Sequence, residues 1–217
     1  MTKKLTLIAT VLLILLAGCT GLTTYESPPA ETNDTLSNEY NYEITEQEEI
    51  SFEEQINIIN YTQDIRISGW STIYEKDISD ELNVDNTETQ SPIQFGIINT
   101  PSIKISEEEL NPLSFQSLDN TINIISRETK GIEIHDKSDE FNMTHKPSTK
   151  NYTVSEYDAT FTVEEIDAQF NGYVYVTRVN LDDSIAIVFG GHPNTYDEKE
   201  NIIELMENIQ SVDYPDS

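Results

Sequence analysis

One cysteine, Cys19, limits what this chain can fold into more than any other feature. With no second thiol an intrachain disulfide is impossible, so the fold must be held by burial and backbone hydrogen bonding. The position of that thiol narrows matters further. Lys3 and Lys4 give a positive start, Leu5 to Leu16 is an uncharged apolar run, and Ala17 and Gly18 place two small residues directly before the cysteine. A helix needs about 20 apolar residues to cross a bilayer; the uncharged stretch from Leu5 to Gly18 has 14. A buried core thiol, the ordinary state of a free cysteine, fits badly in front of a polar segment. Positive start, apolar core and small residues are the order of a secretory leader.

The segment Leu16-Ala17-Gly18-Cys19 resembles the prokaryotic lipobox. That resemblance implies cleavage before Cys19 and lipid on its thiol; two acyl chains are needed for a stable anchor. The expected organisation is a lipoprotein signal peptide over 1–18 and a lipidated cysteine with a disordered tether over 19–47. One globular domain over 48–213 and a tail over 214–217 complete it. The tether reading rests on the Thr, Glu, Asn, Ser and Pro composition after Cys19, including Pro28-Pro29, with little apolar periodicity. A flexible segment of that length spans on the order of 30 Å.

Charge decides which partners are excluded. The chain carries 40 acids against 12 bases, and loss of residues 1–18 would remove two of those bases, Lys3 and Lys4. A surface of this sign repels a phosphate backbone, so no nucleic acid is expected as a partner. It also repels an anionic leaflet. The acids are scattered along the chain instead of gathered at one spacing, which favours a solvated surface suited to high salt over dedicated cation sites. In molar salt the Debye length is about 3 Å, and self-repulsion is screened.

The periodicities predict a fold of class α+β: a single domain with an antiparallel sheet, packed helices and a C-terminal amphipathic helix. Ser51 and Glu54 form a capping box ahead of Phe52, Ile56 and Ile59, which predicts a helix over 52–60. Residues 64–76 alternate as a long strand with a bulge expected at Gly69. Residues 77–91 read as a loop and 92–100 as a strand, with Ile103 and Ile105 a short extension. Asn111-Pro112 starts a helix over 112–126. A brief strand over 131–135 and an exposed loop over 136–150 follow. Residues 152–163 and 166–176 are strands; Asn180 to Asp183 is a turn, and Ile185 to Phe189 is a central strand apolar on both faces. Gly190-Gly191-His192-Pro193 breaks that strand. Thr195 and Glu198 form a second capping box for a final helix through Ile202, Leu205, Met206 and Ile209.

The order of strand, hairpin, Gly-Gly-His-Pro break and terminal helix is similar to the fold of the PsbP accessory proteins and Mog1. Over residues 50–212 the chain more closely resembles haloarchaeal surface lipoproteins that carry a domain of unknown function. Trp70-Ser71-Thr72-Ile73-Tyr74-Glu75-Lys76, Asn99-Thr100-Pro101, Asn111-Pro112-Leu113 and the Gly-His-Pro-to-helix segment carry that likeness. It implies a lipid-anchored location on the extracellular face of the cell membrane, and brings no activity. Lys3-Lys4, in place of a twin arginine, points to Sec-type export.

Chemistry-bearing motifs are few. No phosphate loop, nucleophile elbow or HExxH occurs, and neither a cofactor nor a catalytic residue is assigned. His135, His145 and His192 are far apart in sequence; His192 reads as a loop histidine beside Pro193. Met143-x-His145 has the spacing of a soft copper contact, outweighed by its polar surroundings. Glu107-Glu108-Glu109 and Asp182-Asp183 lack the loop spacing that wraps calcium. Trp70 with Tyr74, and Tyr173 with Tyr175, are each in phase on one strand face, as core if buried and as a binding strip if exposed. Sequons at Asn33, Asn60, Asn142 and Asn151 are glycan acceptors on an exported chain, best for Asn142 and Asn151 in the expected loop.

Two functions remain open. One is a non-enzymatic binding or accessory module for an envelope protein or glycan. The other is a metal- or solute-binding lipoprotein, or an enzyme, with a site assembled from sequence-distant residues. A flat aromatic patch favours the first; a cleft with converging carboxylates or His192 favours the second.

Overall fold

The computed structural model describes residues 23–58, 61–76, 78, 91–105, 108–109, 118–129, 131–163 and 167–213. In chain order these form β1 (Thr23–Glu26), β2 (Ala30–Glu31), α1 (Asp34–Glu39), β3 (Tyr42–Ile58), β4 (Tyr61–Lys76) and β5 (Gln94–Pro101). Then come β6 (Lys104–Ile105), β7 (Glu108–Glu109), α2 (Leu118–Glu128), β8 (Ile132–His145) and β9 (Lys150–Val163). The chain ends in β10 (Ala168–Asn180), β11 (Ser184–Pro193), α3 (Lys199–Glu207) and β12 (Gln210–Ser211). The expected α+β class, with its PsbP/Mog1-like packed helices, is thereby corrected. Among the described residues the protein is mostly β, with three short helices against one large mixed sheet.

From edge to edge the sheet runs β3, β4, β5, β11, β10, β9, β8, antiparallel at every step. β3 occupies one side of β4 over its whole length; β1 and β5 share the other. β1 lies parallel to Ile65–Ser68, and β5 takes over from Trp70 to Glu75. Gly69 is where one gives way to the other. A Cβ there would stand 2.1 Å from the Asn99 carbonyl oxygen, so the glycine admits a neighbouring backbone. The bulge expected at Gly69 is absent, since the pairing with β3 runs unbroken through Ile50 and Gly69. The irregularity in that pair falls between Ile44 and Glu46 instead.

β11 is the middle of the sheet and all ten of its residues are buried. Ala186 and Val188 join Phe95, Ile97, Tyr175 and Val179 on one face, where Leu36 of α1 and Ile202, Leu205 and Met206 of α3 close the core. Ile187 and Phe189 join Ile98, Val174 and Val176 on the other, against Ile122 and Ile125 of α2. Strands covered on both sides read as near-continuous apolar runs, which is why this part was legible from sequence.

Four local expectations fail. Residues 52–60 are not a helix: β3 continues to Ile58, and the i, i+4, i+7 spacing of Phe52, Ile56 and Ile59 overlaps an alternation of Ile50, Phe52, Ile56 and Ile58 that a strand satisfies equally. The described part of the expected tether, residues 23–47, is folded, because β1, α1 and the start of β3 all find partners. Residues 136–150 are mostly strand; Asp136 to Glu140 are exposed in β8 at the sheet edge, where alternation is not required. Gly190 to Pro193 remain paired with β10, and α3 begins after Glu198 with no side-chain cap. Helix α2 starts at Leu118; Asn111-Pro112 and the loop to residue 90 lie outside the described residues, apart from Ile78.

Candidate functional site

At one end of the sheet a half-open cleft of about 560 Å³ is built from four segments. Each is placed by backbone geometry. The β8–β9 turn runs from His145 to Lys150, with Thr149 donating its N–H to the His145 carbonyl at 2.8 Å. Thr149 holds a φ of 57°, a left-handed conformation that a β-branched residue rarely adopts. The Lys146 N–H reaches the Glu207 carbonyl at the end of α3, at 2.7 Å. In the β10–β11 turn Leu181 donates to the Ser184 carbonyl, leaving Asp182 and Asp183 exposed at the tip. The end of β1 brings Glu26, and the residues after α3 bring Ile209 and Gln210.

His145 is 2 % exposed and forms part of the cleft wall. Its Nε2 stands 2.7 Å from the Ile209 carbonyl, and its Nδ1 stands 2.7 Å from Ser148 Oγ. A carbonyl only accepts, so Nε2 donates to Ile209, and Nδ1 shares the second hydrogen bond with the Ser148 hydroxyl. Both nitrogens are used, and the ring fastens β8 to the chain after α3. The order hydroxyl, imidazole, carbonyl is also that of a nucleophile, base and orienting group. Deeper in, Ser184 is 2 % exposed, and its hydroxyl finds no hydrogen-bond partner.

The structure thus joins two predicted candidates, His145 and Asp182-Asp183, and leaves the others apart. His192 is 5 % exposed in β11; Nδ1 donates to the Pro193 carbonyl at 2.9 Å and Nε2 accepts from the Tyr175 hydroxyl at 3.2 Å. His135 is exposed in β8, 2.8 Å from Thr160 Oγ1. Met143 lies in the core, which removes the copper reading. Among the described residues no three His, Cys, Asp or Glu side chains gather as a metal site. Tyr74 and Tyr175 are buried and Trp70 and Tyr173 half-buried, so the two aromatic pairs are not an open strip. Glu108 and Glu109 form β7, while Glu107 and Cys19 lie outside the described residues.

The sequons separate likewise. Asn33 caps α1, accepting from the Thr35 N–H at 2.9 Å. Asn142 and Asn151 sit in β8 and β9 instead of a loop. Their sequons interlock: Thr153 Oγ1 donates to Asn142 Oδ1 at 3.4 Å, and Thr144 Oγ1 donates to Asn151 Oδ1 at 2.9 Å. All four side chains are exposed. Asn60 lies outside the described residues.

At the other end of α3 from the cleft, the helix start carries two glutamate–lysine pairs. Lys76 Nζ meets Glu198 Oε1 at 2.5 Å, with the Tyr42 hydroxyl and Asn201 Nδ2 donating to Glu198 Oε2. Lys199 Nζ meets Glu156 Oε2 at 2.6 Å and lies over the Phe141 and Tyr175 rings. Burial, then the charge of Glu198, pushes the Tyr42 phenol well above its ordinary range. These groups hold the helix to the sheet and are mutually satisfied.

Sequence reasoning missed Glu26, Lys150 and Ser184. Glu26 lay in the expected tether and Lys150 in an expected loop, and a serine at a strand start carries no signal of its own. The family described as a domain of unknown function, DUF6517, matches residues 28–210. No curated protein and no solved structure matches the chain, so the PsbP/Mog1 likeness contributes no argument.

Proposed function

The chain belongs to the DUF6517 family, a domain of unknown function, and from that premise we propose that it is a lipid-anchored module on the outer face of the cell membrane. In this reading Cys19 carries the lipid, the surface is suited to brine as in the haloarchaeal lipoproteins it resembles, and the cleft takes up a solute. The observation that carries the binding role is the cleft itself, where Glu26, Asp182, Asp183 and Lys150 line one opening with an unpartnered buried hydroxyl. The buried state of Tyr74 and Tyr175 weighs against a flat aromatic docking patch. No described helix is long and apolar enough to cross a membrane. Thermal melts of the protein with size-fractionated small molecules from native cells test the binding role. One fraction should raise the midpoint of wild type and not of Leu181→Trp, which fills the cleft. Equal shifts in both, or none, defeat the reading.

A second reading has one observation behind it. The Ser148–His145–Ile209 carbonyl array has the bonding order of an acyl-transfer dyad with its orienting group. A fluorophosphonate probe should then label wild type at Ser148 and fail on His145→Gln. An unlabelled wild-type chain eliminates this reading.

A further inference from the structure

We propose that the cleft binds a small zwitterion of the amino-acid type, its ammonium end on Asp182, Asp183 and Glu26 and its carboxylate end on Lys150. The proposal rests on the reading of the cleft as a solute site and names the solute's chemistry. The first support is charge of both signs held apart. Among the described residues Glu26, Asp182, Asp183 and Lys150 take part in no ion pair, although all four line the same opening. The other lysines whose side chains are described, Lys76, Lys137, Lys146 and Lys199, each meet a glutamate. In so acidic a chain, an unpaired ammonium lining one opening with three unpaired carboxylates leaves room for a ligand that touches both signs.

Ser184 supplies the second, independent support. Its hydroxyl is buried on the cleft wall without a partner, a hydrogen bond left unmade that a ligand's polar atom seated there would complete. Size agrees, since about 560 Å³ lies within the range of small-molecule sites, roughly 300–1,000 Å³.

Salt sharpens the choice of ligand. At molar ionic strength the Debye length is about 3 Å, so long-range attraction cannot separate an organic cation from the inorganic cations around it. Contact can. A molecule bonded at once to carboxylate, ammonium and hydroxyl gains directional hydrogen bonds that a bare cation does not make. For this ligand His145 contributes a wall of the cleft, its ring held by Ser148 and the Ile209 carbonyl.

The test is calorimetric titration of the folded full chain in high salt. The probes are alanine, glutamine and tyrosine, each as the free amino acid, its amide and its N-acetyl derivative. At least one free amino acid should bind tenfold or more tightly than both derivatives. Lys150→Ala should cost it about tenfold while leaving the amide unchanged, and Asp182→Asn with Asp183→Asn should weaken both. Ser184→Ala should weaken the free amino acid several-fold, with near-UV circular dichroism verifying that each variant is folded. An amide that binds as well as its free amino acid, indifference to Lys150→Ala, or silence from all nine probes overturns the zwitterion. The melts with cell fractions then separate the causes: if Leu181→Trp still abolishes a shift seen in wild type, the cleft stands and only its ligand chemistry falls.

Discussion

Lys76 and Glu198 show at the scale of single residues how this chain uses its scarce cations. Glu198 is buried and is held by the Lys76 ammonium, the Tyr42 hydroxyl and the Asn201 amide. Lys76→Met removes the cation and strands the carboxylate, at an expected cost of about 3 kcal/mol in urea unfolding. Glu198→Gln keeps hydrogen-bonding capacity and should cost about 1 kcal/mol; equal losses would contradict this account. Glu204 makes a different prediction. The Lys146 ammonium, then the Tyr40 hydroxyl, hold its carboxyl below the ordinary 4.5. A depressed carboxyl contributes stability above its ordinary value and loses it as pH falls through the lowered one. The Glu204 hydrogen bond in turn holds the Tyr40 phenol up to about 12, a contribution present below pH 10 and lost as pH rises through about 12. Glu204→Gln should therefore flatten both the acid and the alkaline limb of the stability profile. The effect is small, because surface pairs of this exposure contribute under about 1 kcal/mol.

At the scale of elements, β4 decides the architecture by serving three partners. Gly69 makes this possible, since any side chain there meets the Asn99 backbone. Gly69→Ala should cost about 1–3 kcal/mol as an overpacking substitution; a neutral result in chemical denaturation would mean β1 and β5 do not abut as described. Asn99 secures the junction from the other side, with Nδ2 donating to the Pro28 carbonyl at 2.8 Å and its own carbonyl accepting from Ser27 Oγ at 3.2 Å. The β8–β9 turn carries the opposite kind of lesson. Thr149 sits in a conformation costing roughly 1–2 kcal/mol for a residue with a Cβ. Thr149→Gly should raise the thermal midpoint; a lower midpoint would show that the threonine side chain offsets its own strain.

The whole molecule is built on an anionic sheet with, among the described residues, two unpaired edges. β3 and β8 end the sheet, and both depart from regular pairing, β3 near Ile44 and β8 between Ile134 and Asp139. Bulges and charge at edges discourage pairing with other chains, and β3 carries Glu43, Glu46, Glu48, Glu49, Glu53 and Glu54. With a net charge of −28, self-repulsion rises as salt is removed, so near-UV circular dichroism should collapse on dialysis to low salt. A full native signal there would refute a surface adapted to brine. If Cys19 bears lipid, the stand-off from the membrane is short. Strand β1 begins at Thr23, four residues on, a reach of at most about 14 Å at 3.3–3.6 Å per residue. Proteinase K on intact cells should therefore fail to release the domain, whereas an extended tether would be cut.

Sequence alone determined the parts whose physics is local or nearly so. The run of buried residues in β11 and the alternation in β4, β9 and β10 could be read because their apolar residues answer to two covered faces. So could the stripe of Ile202, Leu205 and Met206. The lone thiol likewise ruled out internal crosslinks before any fold was known. Tertiary structure decided the rest. The glutamate-rich stretch from Tyr42 and the charged stretch from Asp136 to Glu140 are strands only because a neighbouring backbone pairs with them, and an edge strand leaves no apolar signature. The cleft was beyond local reading for a related reason. Glu26, Lys150, Asp182 and Ser184 become neighbours only when four chain segments converge at one end of the sheet, and none carries a mark of that meeting in its own surroundings.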